Sequence, residues 1–188
     1  FQMFEKDLPG KGTKDFATSE KDIGTLPLEV CETINGSWGF NLKDRKHKSK
    51  KELIQYLIKA AGYGSNLLLN VGPMPNGEIQ EEHIKSLKKI GEWVNENGET
   101  IYGTRKGPLN PTDELVSTRK GNKIFLHILD FKKNQLIIED LNEKIKKVAY
   151  YNSNLKVDFK FKKSVLTINL DRDQMNDIDT IIEIELKD

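Results

Sequence analysis

The chain has a single cysteine, Cys31, and therefore forms no internal disulfide and no cysteine metal cluster. It has no apolar run long enough to span a bilayer. It has no excess of either charge: Lys and Arg number 30 against 29 Asp and Glu. That balance gives no electrostatic reason to expect nucleic acid or an acidic membrane as a partner. There is no GxxxxGK[ST] and no GxGxxG after a strand, so neither phosphate-binding glycine loop is present. The three histidines, His47, His83 and His127, lack metal-ligand spacing. His47 and His83 fall among charged residues and are expected in solvent, and His127 is expected in a strand. No histidine is near Cys31 in sequence to activate it, so a buried strand thiol is expected there rather than a nucleophile. "FQMFEKDLPG" has no initiator Met, charged leader or signal-type apolar core, and the chain is expected to begin within a longer sequence.

The 188 residues suffice for one large domain or two small ones. Two textures divide them. Up to Gly103, loops, helices and an apolar strand alternate. After the Gly- and Pro-rich "GTRKGPLNP" (Gly103 to Pro111), short alternating strands take over. This places domains at 1–103 and 104–188. In "SKKE", Ser49 and Glu52 have capping-box spacing, and Leu53, Ile54, Leu57, Ile58 and Ala61 follow on one helical face, with Gly62 as a left-handed terminator. "NLLLNV" (Asn66 to Val71) is apolar without alternation, as suits a strand covered on both sides in a parallel sheet. A second helix is expected from Gln80 to Asn97, with Ile84, Leu87, Ile90 and Val94 inward. An earlier strand fits "LPLEVCET" (Leu26 to Thr33). The basic run Lys43 to Lys51 reads as a solvated approach to the first helix. The order is the α/β alternation of a parallel sheet or a (β/α) barrel. In a barrel, the loops "NGSWGF" and "GPMPNG" would share the C-terminal rim, where active sites are built. Beyond Pro111, "NKIFLHILDF", "KVDFKF", "VLTINL" and "TIIEIEL" read as an antiparallel β-sandwich.

Trp38 poses the sharpest question. In "ETINGSWGFN" it stands between Gly36 and Gly39, with no periodicity to bury it. It either plugs a core from a loop or offers a flat face to a ligand. Carboxylates are the remaining chemistry. Glu5 lies between apolar residues and Lys6, and Glu29 and Glu32 lie on or beside the first strand. A carboxyl group in a half-desolvated site has a raised pKa and can serve as a general acid near neutral pH. Glycosidases use two such groups, and an aromatic ring beside them packs on a sugar's apolar face. From the residues alone, Glu5 is equally a surface ion-pair partner and Trp38 equally a core plug.

"ETINGSWGFN", "NLLLNVGPMPNGEI" and "IGEWVNENGETIYGT" together resemble the α-L-fucosidases of glycoside hydrolase family 29. The resemblance is strong from Glu29 to Gly107 and weaker through the β-rich tail. It implies the last strands and helices of a (β/α)8-type barrel followed by a C-terminal antiparallel β-sandwich. It implies removal of terminal L-fucose from fucosylated glycans by a retaining double displacement, without metal or organic cofactor. It also implies a periplasmic, secreted or lysosomal setting. Glu5 matches the family's acid/base position, with Glu29 as rival, and Trp38 matches the aromatic lining the fucose pocket. The nucleophilic Asp and the early barrel strands would precede Phe1. A complete barrel takes about 250 residues, so the part up to Gly103 cannot close one. This chain alone is therefore expected to be inactive and to expose apolar barrel side chains. The competing reading is a non-catalytic carbohydrate-binding or accessory module, in which the sandwich binds glycan.

Overall fold

A computed structural model describes residues 28–153 and 155–187. They belong to two units, one running to Glu99 and the other starting at Thr100.

In the first unit, β1 (Leu28–Thr33) pairs in parallel with β2 (Ser65–Asn70), in register from Leu28 with Ser65 to Thr33 with Asn70. Parallel neighbours need a crossover, and α1 (Lys50–Gly62) supplies it. Its start is the expected capping box. The Ser49 hydroxyl accepts from the Glu52 amide at 3.2 Å, and the Glu52 carboxylate accepts from the Ser49 amide at 2.7 Å. Leu53, Ile54 and Ile58 are buried as expected, whereas Leu57 and Ala61 are only half-buried and Ala60 is buried. The helix does not end on a left-handed Gly62. Gly62 is helical and buried, Tyr63 caps in a right-handed conformation, and Gly64 takes the positive φ of 80°. The last carbonyls are met by the Tyr63 amide on Lys59 and the Gly64 amide on Ala61.

Two further expectations for this unit need correction. Among the described residues β2 is not covered on both sides: Asn66 is exposed and Leu68 is 36% exposed. The inner face of α2 (Glu81–Asn97) is not Ile84 and Leu87, each 38% exposed, but His83 and Trp93, with Ile90 and Val94 half-buried beside them. At about 100° per residue, that rotates the buried stripe by roughly 60° from the most apolar one. Cys31 is half-buried rather than fully buried. No helix among the described residues is long and apolar enough to cross a membrane.

The loops leaving the C-terminal ends of β1 and β2 touch. A Cβ on Gly72 would lie 2.5 Å from the Gly39 carbonyl carbon and 2.6 Å from the Phe40 nitrogen. Both are backbone atoms, and neither can swing aside.

The second unit has two antiparallel sheets. The larger comprises β3 (Arg105–Lys106), β4 (Leu115–Lys120), β5 (Lys123–Ile128), β7 (Ile145–Tyr150) and β10 (Thr180–Leu186), in the order β3-β4-β5-β10-β7. The smaller is β6 (Gln135–Ile138), β9 (Val165–Asn169) and β8 (Asp158–Lys162), in that order. Alternation builds the core between them. Ile124, Leu126 and Ile128 with Ile182, Ile184 and Leu186 face Leu136, Ile138, Leu166 and Ile168. This is the sandwich the alternating strands predict. β8 is its edge: Phe159 and Phe161 pair with the core residues Ile168 and Leu166 yet remain exposed, and Lys160 and Lys162 charge the edge against further pairing. His127 is a strand histidine, buried, with Nδ1 2.7 Å from Asp179 Oδ2 and Nε2 3.5 Å from the Thr118 hydroxyl. Burial pushes the Asp179 carboxyl up. The Thr118 hydroxyl gives its proton to the Thr100 carbonyl at 2.6 Å, which leaves its lone pairs for an N–H on Nε2.

Ser49→Ala should cost about 1 kcal/mol of stability, the usual value of an N-cap side chain, measured by urea unfolding. The two bonds from Ser49 hold the Glu52 carboxyl below its ordinary value of 4.5. A depressed folded-state pKa stabilises above the unfolded value. The contribution of the Glu52 carboxylate, read as the Glu52→Ala difference, should therefore be full above pH 4.5 and fade as pH falls through the depressed value, whereas the bond from the Glu52 amide to the Ser49 hydroxyl does not titrate. Gly72→Ala should destabilise the first unit by roughly 1–3 kcal/mol through overpacking, read from the same unfolding curves.

Candidate active-site rim

β1 ends by driving Ile34 and Asn35 into the interior, and the chain then turns out. Polar contacts rather than apolar packing hold the loop that follows. Asp44 Oδ2 accepts from the Gly36 amide and from the Ser37 hydroxyl, both at 2.8 Å. The Ser37 hydroxyl in turn accepts from Asn41 Nδ2 at 3.2 Å. The Asp44 amide closes the turn on the Asn41 carbonyl at 3.1 Å. Chiefly the Ser37 bond, acting against partial desolvation and helped by the Gly36 amide, holds the Asp44 carboxyl below its ordinary value. It is thus a carboxylate, an acceptor only, at neutral pH.

From the second strand, Asn70 Nδ2 donates to the Trp38 carbonyl at 2.7 Å. The backbone at position 38 is therefore tied to the last residue of β2, while the indole is 57% exposed. Trp38 is not a core plug. Behind it, Gly72 backs onto Gly39 and Phe40. The loop from Gly72 to Ile79 folds on itself, with the Met74 amide on the Glu78 carbonyl and the Gly77 amide on the Met74 carbonyl, each at 2.8 Å. A large flat apolar ring stands on a braced rim, at the C-terminal ends of two parallel strands.

The carboxylates are distributed differently from the ring. Glu5 lies outside the described residues. Glu29 pairs in register with Asn66 near the start of β1. About 13 Å of extended chain, at about 3.3 Å per residue, separates it from Thr33, where the Trp38 loop begins. Glu32 is at the correct end but is already engaged. Its Oε1 accepts from the Thr33 amide at 2.8 Å and from Lys48 Nζ at 3.1 Å. Lys48 also donates to the Thr33 carbonyl at 2.7 Å and the Asn35 carbonyl at 3.3 Å. So one member of the basic run is not solvated: Lys48 clamps the end of β1, whereas Lys43, Arg45 and Lys46 are exposed.

The histidines also differ from expectation. His83 is 1% exposed and His47 half-buried, and their rings lie next to each other with steeply crossed planes. Sequence reading missed them because charged neighbours mark a solvated segment only on average. It missed Asp44 and Asn70 because their partners lie 8 and 32 residues away.

Known proteins resemble this chain. The family model described as "Alpha-L-fucosidase" matches residues 1–99. The alpha-L-fucosidase of Branchiostoma floridae is 31% identical over 109 residues, which is 55% of this chain and 24% of that protein. Human tissue alpha-L-fucosidase is 30% identical over 117 residues, 58% of this chain and 25% of that protein. The chain thus spans about a quarter of the length of these curated relatives. Among solved structures, alpha-L-fucosidase isoenzyme 1 from Paenibacillus thiaminolyticus superimposes with a TM-score of 0.76 at 32% identity, over 87% of this chain and 40% of that one. The Thermotoga maritima alpha-fucosidase, solved in complex with fucose, gives 0.72 at 29% identity, over 86% and 40%. On the family match, which covers more than half of its residues, the chain belongs to the alpha-L-fucosidase family.

Proposed function

We propose that this chain is the C-terminal part of a retaining exo-α-L-fucosidase that hydrolyses terminal L-fucose from glycans, and that Trp38 forms one wall of the fucose site. The observation that carries this reading is the exposed indole of Trp38, tied through its own carbonyl to Asn70 at the rim of two parallel strands. L-Fucose has an apolar face and a methyl group, and an aromatic ring offers matching contact without a polar cost. The first unit is read as the closing strands and helices of a (β/α) barrel. Its parallel β1-α1-β2 order and its exposed Leu68, Ile84 and Leu87 support that reading.

In this account Glu5 is the general acid/base. It protonates the departing glycosidic oxygen, then takes a proton from the water that releases the sugar. The nucleophilic Asp belongs to sequence preceding this chain, roughly 5–5.5 Å from the acid when the barrel is complete. The chain's coverage of 40% of the solved fucosidases supports that division of labour. Glu29, at the start of β1 and away from the Trp38 rim, is the weaker candidate.

The test uses the longer protein and aryl α-L-fucosides of graded leaving-group ability. Glu5→Ala should lower kcat/KM by about 10²–10⁴ for poor leaving groups and far less for good ones, with azide restoring turnover. The same pattern in Glu29→Ala, with none in Glu5→Ala, would reverse the assignment. Trp38→Ala should lower kcat/KM at least about tenfold, the factor for roughly 1.4 kcal/mol of lost contact, at unchanged thermal midpoint because the ring is exposed. The 188-residue chain alone should show no turnover, and measurable hydrolysis by it would sink the proposal.

A further inference from the structure

We propose that His47 and His83 form a binding site for a borderline divalent transition cation, of which Zn²⁺ is the type, tying the loop before α1 to the first turn of α2. The two rings come from separate elements and meet with centroids 5.2 Å apart and planes at 77°. That spacing fits shared coordination. With Zn–N at about 2.0–2.1 Å, the ring centre about 1.1 Å further on and a tetrahedral angle at the metal, two ligating imidazoles have centroids about 5.2 Å apart.

The hydrogen bonding points the same way. His47 Nδ1 lies 3.1 Å from the Arg45 carbonyl. A carbonyl only accepts, so Nδ1 carries the proton and Nε2 of the neutral ring carries the lone pair. A metal-bound histidine characteristically has its second nitrogen held this way by a carbonyl or carboxylate. His47 Nε2 is buried and has no partner. Neither nitrogen of His83 has a partner, although that side chain is buried almost completely. Gln80, the residue that starts α2, makes no side-chain cap bond, and its Oε1 is also buried without a partner. Unsatisfied buried polar atoms thus fall on both residues of the His47–His83 contact and on the residue that starts α2, and one nitrogen of each neutral imidazole and the Gln80 Oε1 carry lone pairs that a cation can take. Buried polar groups are normally satisfied.

The charge setting suits a cation. Asp44 and Glu82 act on His83 as negative neighbours. Burial, with His47 beside it, holds the His83 imidazole below its ordinary value, and the neutral imidazole is the ligating form. Among the described residues no third His, Cys, Asp or Glu completes a cluster. The remaining positions fall to the Gln80 carbonyl oxygen and water. Imidazole nitrogens select Zn²⁺, Ni²⁺ or Cu²⁺ over Mg²⁺ and Ca²⁺.

The test is calorimetric titration of the metal-free 188-residue chain with ZnCl₂ and, in parallel, MgCl₂. One equivalent of Zn²⁺ should bind at neutral pH and raise the thermal midpoint; Mg²⁺ should do neither. His47→Gln and His83→Gln should each weaken Zn²⁺ binding at least tenfold, while Cys31→Ser leaves it unchanged. Because His83 is buried and its variant can fail to fold, the half-buried His47 carries the decisive substitution. X-ray absorption at the zinc edge should count two imidazoles. No saturable Zn²⁺ binding, binding that persists in His47→Gln, or binding that Cys31→Ser abolishes would overturn the site.

Discussion

The close passage of Gly72 against Gly39 and Phe40 is the constraint on which the rim depends. Two backbones in contact leave no room for a side chain between them. Beside that contact, Asn70 Nδ2 donates to the Trp38 carbonyl and holds the loop after β1 to the end of β2. Asp44 then closes that turn from the other side, through Gly36 and Ser37. The rigidity comes from polar groups and a missing Cβ, not from apolar packing. Trp38 is left without any structural duty for its ring. A Trp ring has only two side-chain torsions to fix, and its backbone here is already held, so stacking on a ligand costs it little conformational entropy.

The first unit and the sandwich solve different physical problems. The sandwich completes its core by alternation from two sheets, and its buried His127 and Asp179 bond to each other within it. The first unit leaves Leu68, Ile84 and Leu87 exposed. It is braced instead by cross-links of charge and backbone: Lys48 on the end of β1, the capping box on α1, and the loop contact at Gly72. These cross-links gather at the strand ends that carry the rim. Such side-chain bonds to backbone groups fix geometry even where apolar burial is incomplete.

Local signals in the sequence were reliable where the chemistry is local. The Ser49–Glu52 box, the parallel strand at Leu67 to Leu69 and the alternating sandwich strands all follow from period and capping alone. The inner face of α2 was not legible. A helical wheel ranks residues by apolarity, whereas burial depends on which side a neighbour occupies, and His47 meets the helix at His83. Trp38 was ambiguous for the same reason: the contacts that turn it outward come from Asp44 and Asn70, and no short-range pattern encodes them. Composition placed both His47 and His83 in solvent, and only the packed structure joins them.

The most direct measurement of the central claim is a crystal structure of the longer protein with L-fucose bound. The account predicts the Trp38 indole in van der Waals contact, within about 4 Å, with the apolar face or methyl group of the sugar, and the Asn70 bond to its carbonyl intact. Fucose bound with Trp38 turned to solvent, or packed against protein on both faces, would contradict it.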